Sequence, residues 1–415
     1  MTTSADVDNR FRTLAERRPV PGWLVAVLLG AAWFIVAANI ALVPPLVVFM
    51  ADEMFMSEWQ RGAVVAALPL ASFAGNLIFG PFVDVIGRRR SVVIGSSVVA
   101  LLLLGTAMVD SGVLAIGLRV ATGLFMPLIG VAVFPCIADY VPQERRMAVT
   151  GQVVAGGSLA QLVTVPGALF VAGHLSWRWS FAALALLAAA VAVAVLFAFP
   201  AAPRHTNGRA NRGLRVLLHA ARPGIREPVM AFWLFTFALF TVISFYPSWV
   251  LTDTTGATRD VNTVTLVFVA AGVVAVVGAS LTGVVAKLPN PWLAALLAVP
   301  VPLVLALPLL ADSLIAQAML YASLTFAQAL AFPLLRGRAN LAAGDDRLSG
   351  VNTALNAGYQ VAAASAAAVA APLFGWSPSF VPNTVVAALV FAIVPVVFLL
   401  GQRRNPDVKK GEIAP

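Results

Sequence analysis

The chain has 415 residues, of which 60 % are hydrophobic and 11 % are charged, and its formal net charge is +9. A soluble domain carries about a quarter charged residues, so this composition excludes a soluble globular protein and is typical of a polytopic membrane protein. The basic residues lie between long apolar runs, so they indicate membrane topology rather than nucleic-acid binding. A single cysteine, Cys136, excludes an intramolecular disulfide and any cysteine-rich metal site.

The first half of the chain contains six apolar runs, and a helix needs about 20 residues to cross a bilayer. The first run, 19–51, is too long for the core of a cleavable signal peptide and lacks a cleavage pattern, so we interpret it as a first span. The other runs lie at 62–83, 91–109, 111–138, 147–177 and 179–203. A hydrophilic stretch with six arginines, 204–227, ends this half.

The second half repeats this pattern and completes a prediction of twelve spans. Its runs lie at 228–252, 261–286, 288–311, 313–335 and 348–402, and the last is long enough for two spans with a break near Gly375–Pro378. We therefore predict an all-α polytopic membrane protein with 12 transmembrane helices in two six-helix bundles. The predicted parts are a tail (1–21), a first bundle (22–200), a linker (201–227), a second bundle (228–401) and a second tail (402–415).

The distribution of lysine and arginine predicts the orientation of the chain. If both termini are cytoplasmic, the inner segments carry 23 of the 27 basic residues and the outer segments carry three: Arg61, Arg178 and Arg259. The remaining one, Arg119, lies inside a span. Because cytoplasmic loops are enriched in Lys and Arg, this asymmetry predicts that both termini and the linker are cytoplasmic.

Internal similarity indicates that the two halves are repeats of each other. The segment 144–157 aligns without gaps on 345–358, Pro135 corresponds to Pro333, and the spacing of Gly80 and Asp84 returns in Gly283 and Lys287. These offsets agree on a repeat of about half the chain. Parallel six-span repeats with a binding site between them are typical of alternating-access transporters.

The loop after the second span carries the most specific motif, Gly80-x-x-x-Asp84-x-x-Gly87-Arg88-Arg89. Such a charge cluster cannot lie in hydrocarbon, so it must form a tight loop at a membrane face. The motif resembles the loop between spans two and three of the major facilitator superfamily, and the resemblance covers essentially the whole chain. The superfamily has a fold of twelve helices in two bundles, which agrees with the predicted spans.

Three further segments resemble motifs of the same superfamily. They are the cytoplasmic exit of span four (Asp139–Arg145), the basic motif of proton-linked members (Arg119-x-x-x-Gly123) and a degenerate form of the Gly-Pro motif of drug/proton antiporters (Val165-Pro166-Gly167). The closest pattern is that of the 12-span drug/proton antiporter family. This resemblance implies a helix break at Pro166 and Gly167 in span five.

The motif loop also implies a cytoplasmic gate. The resemblance places Asp84 beside the start of span eleven, where a helix N-terminus carries about half a positive charge. The predicted gate consists of Gly80, Asp84, Gly87, Arg88 and Arg89. Alternatively, these charges set the membrane topology alone.

Arg119 is the sharpest candidate for function, because a charge inside a span must face a partner or a watery cavity. Many drug/proton antiporters carry a carboxylate in span one, but no Asp or Glu lies centrally in any span of this chain. A substrate carboxylate or phosphate would suit such an arginine. The candidates for proton coupling are Asp84, Arg119 and Asp139. Alternatively, Arg119 is structural and bonds to backbone carbonyls.

Polar residues in several spans predict a substrate cavity around Arg119. On span eleven they recur at helical spacing, so they face either a cavity or a neighbouring helix. For Tyr246 in span seven, an interfacial position is the alternative. The predicted cavity residues are Asn39, Arg119, Gln161, Tyr246, Asn352, Asn356, Tyr359 and Gln360.

These residues predict a transporter and not an enzyme, since no catalytic triad, metal-ligand spacing or Walker-type lysine loop is visible. We expect no cofactor and no metal, a small-molecule substrate, protons and membrane lipids as partners, and a monomer in the bacterial inner membrane. The leading hypothesis is export of a small organic molecule with an anionic group in exchange for protons. The alternatives are a multidrug efflux antiporter of broad specificity and a proton-coupled importer of a small metabolite.

Overall fold

The computed structural model describes residues 20–79, 82–200, 222–251, 259–343, 348–377 and 379–404, and the regular structure in these ranges is helical. Twelve helices there are long and apolar enough to cross a membrane. They are α1 (Gly22–Met54), α2 (Glu58–Phe79), α3 (Arg88–Ala107), α4 (Gly112–Tyr140), α5 (Gln143–His174), α6 (Trp177–Ala198), α7 (Arg226–Val250), α8 (Val261–Val285), α9 (Asn290–Leu309), α10 (Leu314–Ala343), α11 (Leu348–Trp376) and α12 (Val381–Arg404). The predicted fold is confirmed, including the break in the last apolar run. Most of the predicted linker and tails lies outside the described residues.

Three of the helices are interrupted next to a proline. α4 consists of Gly112–Phe125 and Pro127–Tyr140, α7 of Arg226–Ile243 and Tyr246–Val250, and α9 of Asn290–Ala298 and Pro300–Leu309. Proline lacks a backbone N–H, and in the first turn of a helix that N–H has no partner within the helix. In each of the three helices the second segment begins with a proline in its first turn, so no helix hydrogen bond is lost there.

Span five does not show the predicted break. α5 is continuous from Gln143 to His174 and includes Pro166 in its interior. A proline removes one backbone hydrogen bond, and neighbouring helices in a membrane bundle can hold the two parts of the helix in line. Here α5 packs against α1 along one side and against α8 along another. Pro166 and Gly167 therefore lie inside a regular helix.

The repeat predicted from the sequence is visible in the packing of each half. In the first half the indole of Trp33 on α1 covers Gly157 on α5, and a Cβ added to Gly157 would lie 2.6 Å from Trp33 Nε1. In the second half Trp233 on α7 covers Gly358 on α11 in the same way, with an even closer contact. Gly157 and Gly358 are the last residues of the two aligned segments. Glycine is required at both positions because the indole occupies the space of a side chain.

We call the side of the bundle where α1 begins and α12 ends the terminal face, and the other side the opposite face. The two halves meet along α2 and α11, along α5 and α8, and where the last segment of α7 contacts α1. Glycines allow close approach at these seams: Gly62 lies against Ala371 and Gly173 against Val261. Both contacts are near the opposite face, so the halves are tightly joined on that side.

At the opposite face, Arg178 at the start of α6 ties the ends of α1 and α3 together. Its guanidinium donates to two carboxylates and two backbone carbonyls: Glu53 (2.9 Å), Asp110 (2.5 Å), Ala107 O (3.0 Å) and Val109 O (2.9 Å). Ala107 is the last residue of α3 and Val109 follows it closely; carbonyls at a helix end lack partners within the helix. Arg178 therefore caps α3.

We expect Arg178→Ala to lower the free energy of unfolding by about 1–3 kcal/mol, because bonds to a charged donor at a helix end are lost. The matched control is Arg61→Ala on the same face. Arg61 has a 3.9 Å ion pair with Glu58 and a 3.4 Å bond to Met56 O, and such a pair contributes under about 1 kcal/mol. Helix content followed by circular dichroism during heating in detergent measures both variants. Equal melting temperatures for the two variants would contradict the capping role.

Candidate functional site

Arg119 on α4 is fully enclosed and bonded to α1. Its side chain is 1 % exposed, and its two terminal nitrogens donate to one residue: Nη1 to Asn39 Oδ1 at 2.5 Å and Nη2 to the backbone oxygen of Asn39 at 2.9 Å. Asn39 is 0 % exposed. The structure thus brings together two of the predicted cavity residues, which are separated by 80 positions in the chain.

The Arg119–Asn39 pair has more N–H donors than acceptors, and neither of the two acceptors carries a negative charge. Arg119 Nε and Asn39 Nδ2 are both buried N–H donors without a hydrogen-bond partner. An unpaired buried donor costs about 1–3 kcal/mol, and a buried charge without a counter-ion costs more. Among the described residues both acceptors of Arg119 are neutral oxygens of Asn39. The pair therefore has two N–H donors that an anionic or oxygen-rich group would satisfy.

A second arginine lies in the other half, at a different depth in the bundle. Arg336 on α10 donates from Nη2 to Asn356 Oδ1 on α11, and its guanidinium carbon lies 5.9 Å from the centre of the Phe232 ring on α7. Tyr359 packs against the same ring at 6.5 Å between centroids. Two more of the predicted cavity residues, Asn356 and Tyr359, are thus part of one cluster with Arg336.

Arg336 was not predicted as a site residue. The sequence places it after the last apolar run of span ten, where it is indistinguishable from a loop residue that sets topology. In the structure α10 continues to Ala343, and so Arg336 lies inside the helix. The apolar residues from Ala339 to Ala343, interrupted only by Asn340, are the one signal in the sequence that extends the span past this charge.

The two halves also touch next to these polar residues. Ile40, the neighbour of Asn39, packs against a small cluster formed by Phe240, Ala363 and Ala366, and Tyr359 packs against the same cluster. This contact connects the Arg119–Asn39 side of the bundle to the α11 face that carries Tyr359. The part of α1 next to Asn39 and the face of α11 that carries Tyr359 therefore lie at the boundary between the halves.

The remaining predicted cavity residues have different surroundings. Tyr246 is 0 % exposed and stacks on Tyr321 at 4.3 Å, and its hydroxyl donates to Gln317 Oε1 at 3.1 Å. It is thus enclosed by aromatic side chains of the second half. Asn352 and Gln360 are half-buried on α11. The side chain of Gln161 lies outside the described part of the structure.

The predicted gate residues bond within the first half. Arg88 at the start of α3 donates to Asp139 at 2.8 Å and to Pro135 O at 3.1 Å, both on α4, and Arg89 donates to Leu196 O on α6 at 2.5 Å. Gly87 has a φ of 96°, a conformation that favours glycine. Gly80 and the side chain of Asp84 are outside the described residues. Asp139, a candidate for proton coupling, is a partner of Arg88.

An apolar pocket of about 420 Å³ lies between the halves, toward the terminal face. Phe73 on α2 lines one side, and the other walls come from α7 (Met230, Trp233, Leu234, Phe237) and from the face of α11 that includes Gly358 and Ser365. Its volume is in the range of small-molecule sites. The halves are in close contact near the opposite face, and this pocket is a space between them toward the terminal face that is large enough for a small ligand.

The fold and these contacts define a polytopic membrane protein of two six-helix halves, each with an arginine–asparagine contact between its helices. The sequence profile described as Major Facilitator Superfamily matches residues 23–367. The chain belongs to this superfamily of membrane transporters.

Similarity to individual relatives is low. The D-xylose transporter of Levilactobacillus brevis is 26 % identical over 168 residues, which cover 38 % of this chain and 35 % of that protein. The inner membrane transport protein YdhP of Escherichia coli (strain K12) is 26 % identical over 274 residues, which cover 65 % of this chain and 68 % of that protein. The chain thus spans only about a third of the length of the D-xylose transporter in this match.

Solved structures of other transporters share the fold. A bacterial homologue of the human lysosomal transporter Spinster, in an inward-facing and occupied conformation, has a TM-score of 0.75 and 13 % identity and covers 93 % of this chain and 98 % of that chain. A D-xylose–proton symporter has a TM-score of 0.71 and 17 % identity, with 90 % and 96 % covered. At these identities the likeness shows the fold alone.

Proposed function

We propose that this protein exports a small organic molecule with an anionic group across the bacterial inner membrane, by alternating access and in exchange for protons. The observation that carries the proposal is the buried Arg119, which has neutral acceptors from Asn39 and an unpaired Nε. Burial without a counter-ion is costly, and an anionic substrate would supply the missing charge. The degenerate Gly-Pro motif of span five and the similarity to the drug/proton antiporter family favour export.

The arrangement of the halves supports alternating access. The contacts of Gly62 and Gly173 join the halves near the opposite face, while the pocket lies toward the terminal face. If the terminal face is cytoplasmic, as the lysine and arginine distribution predicts, this is a conformation that receives substrate from the cytoplasm. Asp139 is the proposed proton carrier whose surroundings are described, and its carboxylate accepts a hydrogen bond from Arg88 at 2.8 Å.

A second candidate function is proton-coupled import of a small metabolite. The relatives that favour it are the D-xylose transporter and, by fold alone, the D-xylose–proton symporter. A sugar would satisfy Arg119 Nε and Asn39 Nδ2 with neutral hydroxyl oxygens. Such a substrate would leave the charge of Arg119 without a counter-ion, and for that reason we rank import second.

The sign of proton coupling separates the two functions. We expect oriented proteoliposomes with an outward-directed gradient of an organic acid to take up protons as the acid leaves. A pH gradient with the more acidic side inside should slow the efflux. Liposomes without protein, at the same gradients, are the control for passive permeation of the protonated acid. Acid movement in the same direction as protons would overturn export by exchange and favour import by symport.

A further inference from the structure

We infer that Arg336, Asn340, Asn356 and Gln360 form a second polar binding site, in the second half of the bundle, that takes a hydroxylated anionic group. This inference deepens the proposed function, since it names the chemistry of the substrate. Its basis is a set of buried polar atoms that the protein leaves without partners on two adjoining helices, α10 and α11.

The guanidinium of Arg336 is held in place but not saturated. Asn356 Oδ1 accepts from Nη2, and the Phe232 ring lies near one side of the guanidinium at 5.9 Å. The ring attracts a cation through its face without accepting the N–H groups at the guanidinium edge. Nε remains a buried donor without a partner. A fixed arginine with a free N–H edge is suited to a carboxylate or phosphate oxygen.

The neighbouring amide groups have the opposite need: their oxygens lack a hydrogen-bond donor. Asn340 Oδ1 and Gln360 Oε1 are buried oxygens without a hydrogen-bond partner. Asn340 lies four residues after Arg336, and Gln360 lies four residues after Asn356, so each amide shares a helix face with one member of the bonded pair. A carboxylate cannot satisfy these oxygens because it offers no proton. A hydroxyl group can, since it both donates and accepts.

The spacing gives the approximate size of the ligand. A helix rises about 1.5 Å per residue, so each unpaired amide lies about 6 Å along its helix from the Arg336–Asn356 bond. α10 and α11 run in opposite directions, so Asn340 lies toward the terminal face and Gln360 lies away from it. A ligand that binds Arg336 through its charged end thus has an oxygen that can accept from a hydroxyl group about 6 Å away in each direction. A hydroxylated acid of about six carbons is long enough to reach one of these two oxygens.

The test compares two six-carbon acids, gluconate and hexanoate, which differ in their hydroxyl groups, with D-xylose as a neutral hydroxylated probe. Binding to the purified full-length protein is measured by the rise of the melting temperature with ligand concentration. We expect wild type to bind gluconate more tightly than hexanoate. Arg336→Gln should weaken gluconate binding at least ten-fold, and one of the two substitutions Gln360→Leu and Asn340→Leu should weaken it about ten-fold with hexanoate binding unchanged.

The control variant is Arg338→Gln, which removes the same charge from the same helix. Arg338 is 6 % exposed and donates to the backbone oxygen of Ala286, the residue after α8, away from the Asn356 contact. We expect its gluconate affinity to equal that of wild type. If Arg336→Gln does not fold, Gln360→Leu and Asn340→Leu together decide the question, because each removes a hydroxyl partner and no charge.

Two results would overturn the inference, and they differ in what they say of the proposed function. If Arg119→Gln abolishes binding of both acids while Arg336→Gln and Gln360→Leu leave gluconate affinity unchanged, the site at Arg336 is wrong and anion transport stands. If neither acid binds any form of the protein and D-xylose binds wild type, the anionic substrate itself is wrong, and the site at Arg336 fails with it.

Discussion

Arg119→Gln is expected to reduce transport of an organic anion at least about 30-fold, with little change in the amount of folded protein. Glutamine keeps an amide that Asn39 can bond but removes the charge. Truncation of one member of a buried, hydrogen-bonded charge pair costs about 2–5 kcal/mol, which corresponds to about 30-fold or more in affinity. In the resting protein the substitution also removes an uncompensated buried charge, so the melting temperature should stay equal or rise.

The combination of lower transport and unchanged or higher stability distinguishes a substrate-binding arginine from a structural one. Arg119→Lys is the matched control, because it keeps the charge and loses the two-pronged contact with Asn39. We expect it to retain part of the transport. Initial rates in proteoliposomes at several pH values measure both variants. Anion transport and pH dependence that are unchanged in Arg119→Gln would remove the basis for an anionic substrate.

Apolar run length was sufficient to predict the twelve helices and their division into two halves. The bilayer fixes the length of a span, so a run of about 20 apolar residues has few alternatives. The internal repeat could also be recognised from the sequence, since Gly157 and Gly358 are the last residues of two aligned segments. What the repeat could not show is why glycine is needed there. The indoles of Trp33 and Trp233 come from other helices, and contacts of that kind are set by tertiary packing.

The candidate site was only partly accessible from the sequence, for a related reason. Arg119 stands out because it interrupts an apolar run. Its partner Asn39 is a neutral amide among several, and nothing in the sequence connects two residues 80 positions apart. Arg336 is charged and therefore easy to notice, but a charge near the end of an apolar run is equally consistent with a loop. Whether such a charge is buried depends on how far the helix continues, which in α10 is to Ala343.

Gly62→Ala is expected to open the opposite face. A Cβ at Gly62 would lie 2.4 Å from Ala371 Cβ across the α2–α11 seam, so the halves must move apart there. Overpacking of this kind costs about 1–3 kcal/mol, and a bias of that size shifts a two-state equilibrium about 5- to 150-fold. Gly117→Ala on α4 is the matched control, since a Cβ at Gly117 meets nothing within 4 Å.

A cysteine at position 248 reports this opening. Ser248 is 2 % exposed, its hydroxyl has no hydrogen-bond partner, and it belongs to the segment of α7 that contacts α1 near the opposite face. In a Cys136→Ala background, Ser248→Cys supplies a single thiol. We expect a membrane-impermeant maleimide to label it at least about 5-fold faster with Gly62→Ala than with Gly117→Ala, because separation of the halves exposes it to water. Equal labelling rates in the two variants would show that the Gly62–Ala371 contact does not hold this face closed, and the alternating-access cycle would then need a different closing element.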